Sequence, residues 1–125
     1  MNIRILAVGK LKEKYMREAC LDYADRIKNY AKIEIMELKE TGKSSETRDI
    51  VNKLRKNAYK IALDVHGKKM DSIALSKKIS DLMLDGRADI DIVIGGSDGY
   101  LDAVGEAVDL RLSFSDFTFP HQLMR

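Results

Sequence analysis

The sequence predicts an α/β domain built on a mainly parallel sheet. Three observations carry this. Five short apolar or β-branched runs alternate with stretches of helical periodicity. The first of them, Ile3–Val8, is almost continuously apolar, as suits a strand covered on both faces. A later one, Ile92–Ile94, breaks abruptly into Gly95-Gly96-Ser97-Asp98-Gly99. In open α/β sheets the carboxyl ends of the strands are where ligands bind.

Taken in order, Asn2–Val8 reads as the first strand, ended by Gly9-Lys10. Leu11, Tyr15, Ala19, Tyr23, Ile27 and Tyr30 recur at helical spacing, so the pattern predicts an amphipathic helix from Leu11 to Tyr30. Its tyrosine stripe has the regularity of core or interface packing more than of a base-stacking platform. Lys32–Lys39 is a second strand. The loop Glu40–Ser45 contains Gly42-Lys43-Ser44, but a phosphate-binding loop needs a glycine where Glu37 stands. Ser44 or Ser45 is expected to cap the helix that follows, whose core side is Ile50, Val51 and Leu54. Tyr59–Val65 is a third strand. Asp71 or Ser72 caps the next helix, which ends at Gly86. Asp102–Val108 makes a short helix and Leu110–Ser113 a fifth strand.

The 125 residues suit a single domain, residues 1–125, with a proper core. Apolar residues are 45% and charged ones 34%, the balance of a soluble globular chain. No apolar run is long enough to cross a bilayer, so no membrane role is expected. Cys20 stands alone, which excludes an internal disulfide and fits a cytoplasmic location. Two histidines and one cysteine argue against a metal site. The net charge of +2 decides nothing about nucleic acid; only clustering can. Arg48, Lys53, Arg55 and Lys56, flanked by Lys39, Lys43 and Lys60, form the densest basic segment. It reads equally as a solvated helix face or an RNA-facing patch.

Three segments after apolar strands are candidates to converge: Leu63–Lys68, Gly95–Tyr100 and Phe114–Pro120. Leu63 offers an apolar surface for a flat ring. Gly95, Gly96 and Gly99 let a ligand approach bare backbone. The glycine order is not that of a dinucleotide fingerprint, because Ser97 stands in the middle position. Phe114, Phe117 and Phe119 interleave with Ser115, Asp116 and Thr118. Such a loop can wrap an apolar ligand with hydrogen-bonding edges, adenosine being one. Asp98 and Asp116 are turn residues or acid–base groups.

The residues also carry a family resemblance. Ile5-Leu6-Ala7-Val8-Gly9-Lys10-Leu11-Lys12-Glu13-Lys14-Tyr15 is similar to the start of the RlmH family of SPOUT-class methyltransferases. So are Ala62-Leu63-Asp64 with Gly67-Lys68, then Val93-Ile94-Gly95-Gly96-Ser97-Asp98-Gly99. Leu112-Ser113-Phe114-Ser115 with Thr118-Phe119-Pro120-His121-Gln122-Leu123-Met124-Arg125 completes the series, in the family's order and spacing.

The resemblance implies a doubly wound α/β fold with a C-terminal trefoil knot and a homodimer. It implies an S-adenosylmethionine site at Leu63, Gly95, Gly96, Gly99, Phe114, Ser115, Asp116, Phe117, Thr118 and Phe119. The implied reaction is methyl transfer to N3 of a pseudouridine in large-subunit (23S) ribosomal RNA of the assembled ribosome. Methyl transfer from a sulfonium needs alignment and a proton acceptor near the ring N–H. His121 is the candidate, set against a helix-start histidine that only caps or packs. Arg125 is suited to a phosphate or a carboxylate. Family members continue past this motif through a longer helix and tail, whereas this sequence ends at Arg125. The alternative expectation is therefore a cofactor-binding, dimerising module with an incomplete knot and no catalysis.

Overall fold

The computed structural model describes residues 1–125. In chain order the elements are β1 (Asn2–Val8), α1 (Lys14–Ile27), β2 (Lys32–Leu38), α2 (Lys43–Lys53), β3 (Tyr59–Lys69), α3 (Ser72–Leu84), β4 (Asp89–Ile94), α4 (Asp102–Ala107) and β5 (Leu110–Ser113). The five strands form one sheet in the order β2-β1-β4-β3-β5. Every pairing is parallel. The predicted α/β class holds, and the sheet is fully rather than mainly parallel. All five carboxyl ends therefore lie along one edge.

Two apolar layers fix the sheet between helices. On one face Leu6, Val8, Leu38, Ala62 and Val93 pack with Ile50 of α2 and Val104 of α4. On the other, Ile61, Ile90 and Leu112 pack with Leu82, Leu75 and Ile79 of α3. Apolar side chains alternate between the faces, so β1, β3 and β4 feed both layers, while β2 feeds the first and β5 the second. α3 is bounded as its sequence signals say. The Asp71 carboxylate accepts the Ala74 amide at 2.8 Å. Gly86 takes φ +79° just past the helix, and Arg87 N donates back to Leu82 O at 2.8 Å.

Three expectations need correction. The first helix starts later and stops earlier than its periodicity predicts, because the loop after β1 is held apart. The Arg17 guanidinium donates to the carbonyls of Leu11 and Lys12 at 2.9 and 2.8 Å. No residue of α1 is buried, and Tyr15, Tyr23 and Tyr30 are exposed, so the core half of the core-or-interface expectation fails. The second correction is at α2. Ser44 and Ser45 lie inside the helix, and Gly42 occupies the cap position. The Glu46 carboxylate reaches back to accept the amides of Thr41 and Gly42, both at 2.9 Å, and so does the capping. The third is that β3 runs on to Lys69 through a bulge, where the pairing with β5 slips between Leu63 and Lys68.

At the amino end of the sheet an ion cluster anchors α2. Asp91 is wholly buried. One of its oxygens accepts from Arg55 Nε at 2.7 Å, the other from the Arg55 amide at 2.7 Å and Arg4 Nη2 at 3.3 Å. Arg55 Nη2 also donates to Ile90 O at 2.9 Å. Arg55 is thus committed to the fold and drops out of the basic segment. Lys60 does likewise, donating to the carbonyls of Lys56 and Ala58. Arg48, Lys53 and Lys56 remain exposed on α2 and just beyond its end.

Removing the Asp91 carboxylate leaves two guanidiniums facing a buried gap. Asp91→Ala is expected to cost about 3–5 kcal/mol, the range for a broken buried ion pair. Urea unfolding followed by circular dichroism measures it; a loss under about 1 kcal/mol, the size of an exposed pair, contradicts the anchor.

Candidate functional site

Three strand ends converge where the parallel sheet brings them. Behind Ile94, Gly95 and Gly96 are pressed from both sides. A Cβ on Gly95 would lie 3.0 Å from the Tyr100 ring and 3.1 Å from the Gly99 carbonyl carbon. A Cβ on Gly96 would lie 2.9 Å from Glu46 Oε1 and 3.1 Å from Val8 Cγ1. The chain then turns through Ser97 and Asp98, closed by Gly99 N to Gly96 O at 2.9 Å, with Gly99 at φ +75°. Thr47 of α2 holds the exit. Its hydroxyl donates to Lys43 O at 2.7 Å and accepts the Leu101 amide at 3.0 Å.

The bulge in β3 supplies the second wall. Asp64–Gly67 loop out of the ladder and turn Leu63 and Asp64 toward the glycines. Asp64 accepts the His66 amide at 2.9 Å and faces Arg111 Nε at 3.4 Å. Gly67 returns the chain to β5 where a Cβ would lie 2.5 Å from Arg111 O. The third wall is the loop after β5, folded by its own serines. Ser113 Oγ donates to Ser115 O at 2.9 Å, and Ser115 Oγ accepts the Phe117 amide at 3.0 Å.

These walls line an open cleft of about 150 Å³. Leu63, Gly95, Gly96, Gly99, Phe114, Ser115, Phe117, Thr118, Phe119 and His121 all line it. Asp116 does not; it points away and pairs with Lys69. Asp98 lies on the neighbouring acidic groove instead. Sequence reasoning passed over Tyr100, whose aromatic ring directly after Gly99 was the available signal. Its hydroxyl donates to Leu63 O at 3.1 Å and so ties the glycine turn to the β3 bulge. Burial, and then the neighbouring Asp64 charge, push the Tyr100 phenol well above its ordinary range.

The C-terminal turn closes one end of the cleft. Arg125 is nearly buried, and its guanidinium donates to Gly9 O and pairs with Glu37 at 2.6 Å. The carboxylate that Arg125 suits is therefore one of the chain's own. Gln122 accepts the Lys12 amide at 3.3 Å. His121 Nε2 faces Glu40 Oε1 at 3.4 Å. Chemically, the cleft offers aromatic and aliphatic faces, close backbone approach and one imidazole. No group of three or more His, Cys, Asp or Glu is placed to hold a metal ion. No helix is long and apolar enough to cross a membrane.

The whole chain, residues 1–125, matches the family model described as "Predicted SPOUT methyltransferase". The chain belongs to the SPOUT methyltransferase family. Three proteins named "Ribosomal RNA large subunit methyltransferase H" are similar to it throughout. That of Clostridium novyi is 43% identical over 138 residues, covering 100% of this chain and 87% of the relative. That of Clostridioides difficile is 41% identical with the same coverage. That of Fusobacterium nucleatum is 40% identical over 134 residues, 100% and 86% covered. The α/β sheet with helices on both faces is consistent with a SPOUT chain.

Two measurements check this geometry. Gly95→Ala should overpack the turn and cost about 1–3 kcal/mol, with coupling above roughly 0.5 kcal/mol to Tyr100→Ala in a double-mutant cycle. Additive effects would contradict the contact. The raised phenol sets a sign for pH dependence. The unfolded chain releases the Tyr100 proton near its ordinary value of about 10, while the folded chain retains it. Above about pH 10 the unfolded state binds fewer protons, so stability falls as pH rises. Tyr100→Phe should remove part of that fall in urea midpoints taken from about pH 9 to 11; an unchanged slope contradicts it.

Proposed function

We propose that this chain is an S-adenosylmethionine-dependent methyltransferase acting at N3 of a pseudouridine in large-subunit ribosomal RNA. The observation that carries the reading is the meeting of the β3 bulge with the ends of β4 and β5 around one largely apolar cleft. The residues present fit the cofactor. Leu63, Phe114, Phe117 and Phe119 present apolar faces to a purine. Gly99, with open space where a Cβ would stand, leaves room for a ribose against backbone. Ser115 and Thr118 stand at the polar edge. Asp116, held by Lys69 outside the cleft, is left to brace the loop. The names of the similar proteins support ribosomal RNA as the acceptor.

When bound, the cofactor supplies a sulfonium-activated methyl group. The chain's own work is alignment, exclusion of water and handling of one proton. The three walls orient donor against acceptor. The phenylalanines, more than two-fifths exposed, offer the apolar surface that shields the reacting groups from water. His121, at the closed end of the cleft, takes the proton from the acceptor ring. Exposed Arg48, Lys53 and Lys56 are placed to meet phosphates. A homodimer is part of the reading, supported by the exposed Tyr15, Leu21 and Tyr23 of α1. So is a cytoplasmic location, which the unpaired Cys20 suits.

Calorimetric titration with S-adenosylhomocysteine should give one site per chain, weakened roughly tenfold by Phe119→Ala, about 1.4 kcal/mol. Incubation of large ribosomal subunits with methyl-labelled S-adenosylmethionine should then label the RNA, and nucleoside mass spectrometry should find methylpseudouridine. Binding without labelling would leave only a cofactor-binding module. No binding would remove the cleft assignment.

A further inference from the structure

His121 and Glu40 form a pair that no family match assigns. Glu40 follows β2, and its carboxylate folds over the end of β1. The bare Cα of Gly9 makes room for it, since a Cβ there would lie 2.6 Å from Glu40 Oε1. That oxygen faces His121 Nε2 at 3.4 Å. Nε2 is sealed from solvent and makes no hydrogen bond; the Glu40 carboxylate is the charged group that faces it. The ring's other nitrogen, Nδ1, is open to solvent on a residue that lines the cleft. The two ring nitrogens therefore have different surroundings, one against a carboxylate and one open. Arg125, pinned to Gly9 O and Glu37, holds the histidine's turn in place.

We propose that Glu40 is a positioning residue for His121. Its carboxylate accepts Nε2–H, which fixes the neutral tautomer with the lone pair on Nδ1, aimed into the cleft. The assignment of a catalytic role rests on the methyl-transfer reading above. In that reaction the acceptor N3 forms its bond to the methyl carbon and gives its proton to Nδ1. The electron pair of the broken carbon–sulfur bond stays on sulfur, which leaves as a neutral thioether. Glu40 then faces an imidazolium, whose charge it offsets.

Long-range proton–nitrogen NMR on the full chain at about pH 8 reads the tautomer directly, with His66→Gln assigning the second histidine. The expected result is a protonated Nε2 and a pyridine-like Nδ1 at His121. Glu40→Ala should scramble the tautomers, whereas Glu40→Gln, still an acceptor, should keep them. Both variants should bind S-adenosylhomocysteine as the parent does. In methyl transfer, Glu40→Gln should lower kcat roughly tenfold or more with KM unchanged, and Glu40→Asp should recover part of the loss. A protonated Nδ1 in the parent chain, or a Glu40→Ala variant with unchanged tautomer and kcat, overturns the proposal. If the tautomer is fixed as expected but the parent transfers no methyl group, the methyltransferase reading fails, and Glu40's catalytic role with it.

Discussion

The site depends on one steric constraint: at the end of β4 there is no room for a side chain at Gly95 or Gly96. The Tyr100 ring and the Gly99 backbone occupy one position; Glu46 and Val8 occupy the other. Close packing leaves such contacts no slack. Because Glu46 also caps α2, and Thr47 beside it holds Leu101, the helix, the turn and the strand end are one rigid body. The cleft floor is shaped before any ligand arrives, which is what preorganised binding requires.

The two ends of the sheet divide the labour. At the amino end, the buried Asp91 carboxylate takes up Arg55 and Arg4, and α2 is fastened there. At the carboxyl end, backbone is bare, aromatic rings are exposed and loops are held mainly by their own short hydrogen bonds. The stable end carries the cost of a buried ion cluster. The open end keeps the surface a ligand can cover. Tyr100, with its phenol proton held by burial, joins the β3 bulge to the turn between these regimes.

What was legible in the sequence was local or periodic. Strands β1, β2 and β4 follow from β-branched runs, β5 from its alternating leucines, and α3 from a capping aspartate and a terminal glycine. The three walls of the cleft could be picked out because each follows an apolar run, although Leu63–Lys68 turned out to be a bulge within β3. What was not legible depends on partners far along the chain. Asp91 reads as a polar residue in an apolar strand, yet its partners are Arg4 and Arg55, 87 and 36 positions away. Ser44 and Ser45 look like caps, but Glu46 outcompetes them because burial against Gly96 fixes its carboxylate. Asp116 belongs to the ligand loop in sequence, and Lys69 draws it outward. The tyrosines of α1 have the period of a core face, and the chain places nothing over most of them.

The central claim is that the glycine turn, the β3 bulge and the phenylalanine loop act together as one binding site. Amide chemical-shift mapping during titration with S-adenosylhomocysteine tests it most directly. The account predicts that perturbations concentrate at Leu63, Gly95–Gly99 and Phe114–Phe119, while Gly42–Ser45 stays silent. Shifts confined to Gly42–Ser45, or none at all, would contradict it.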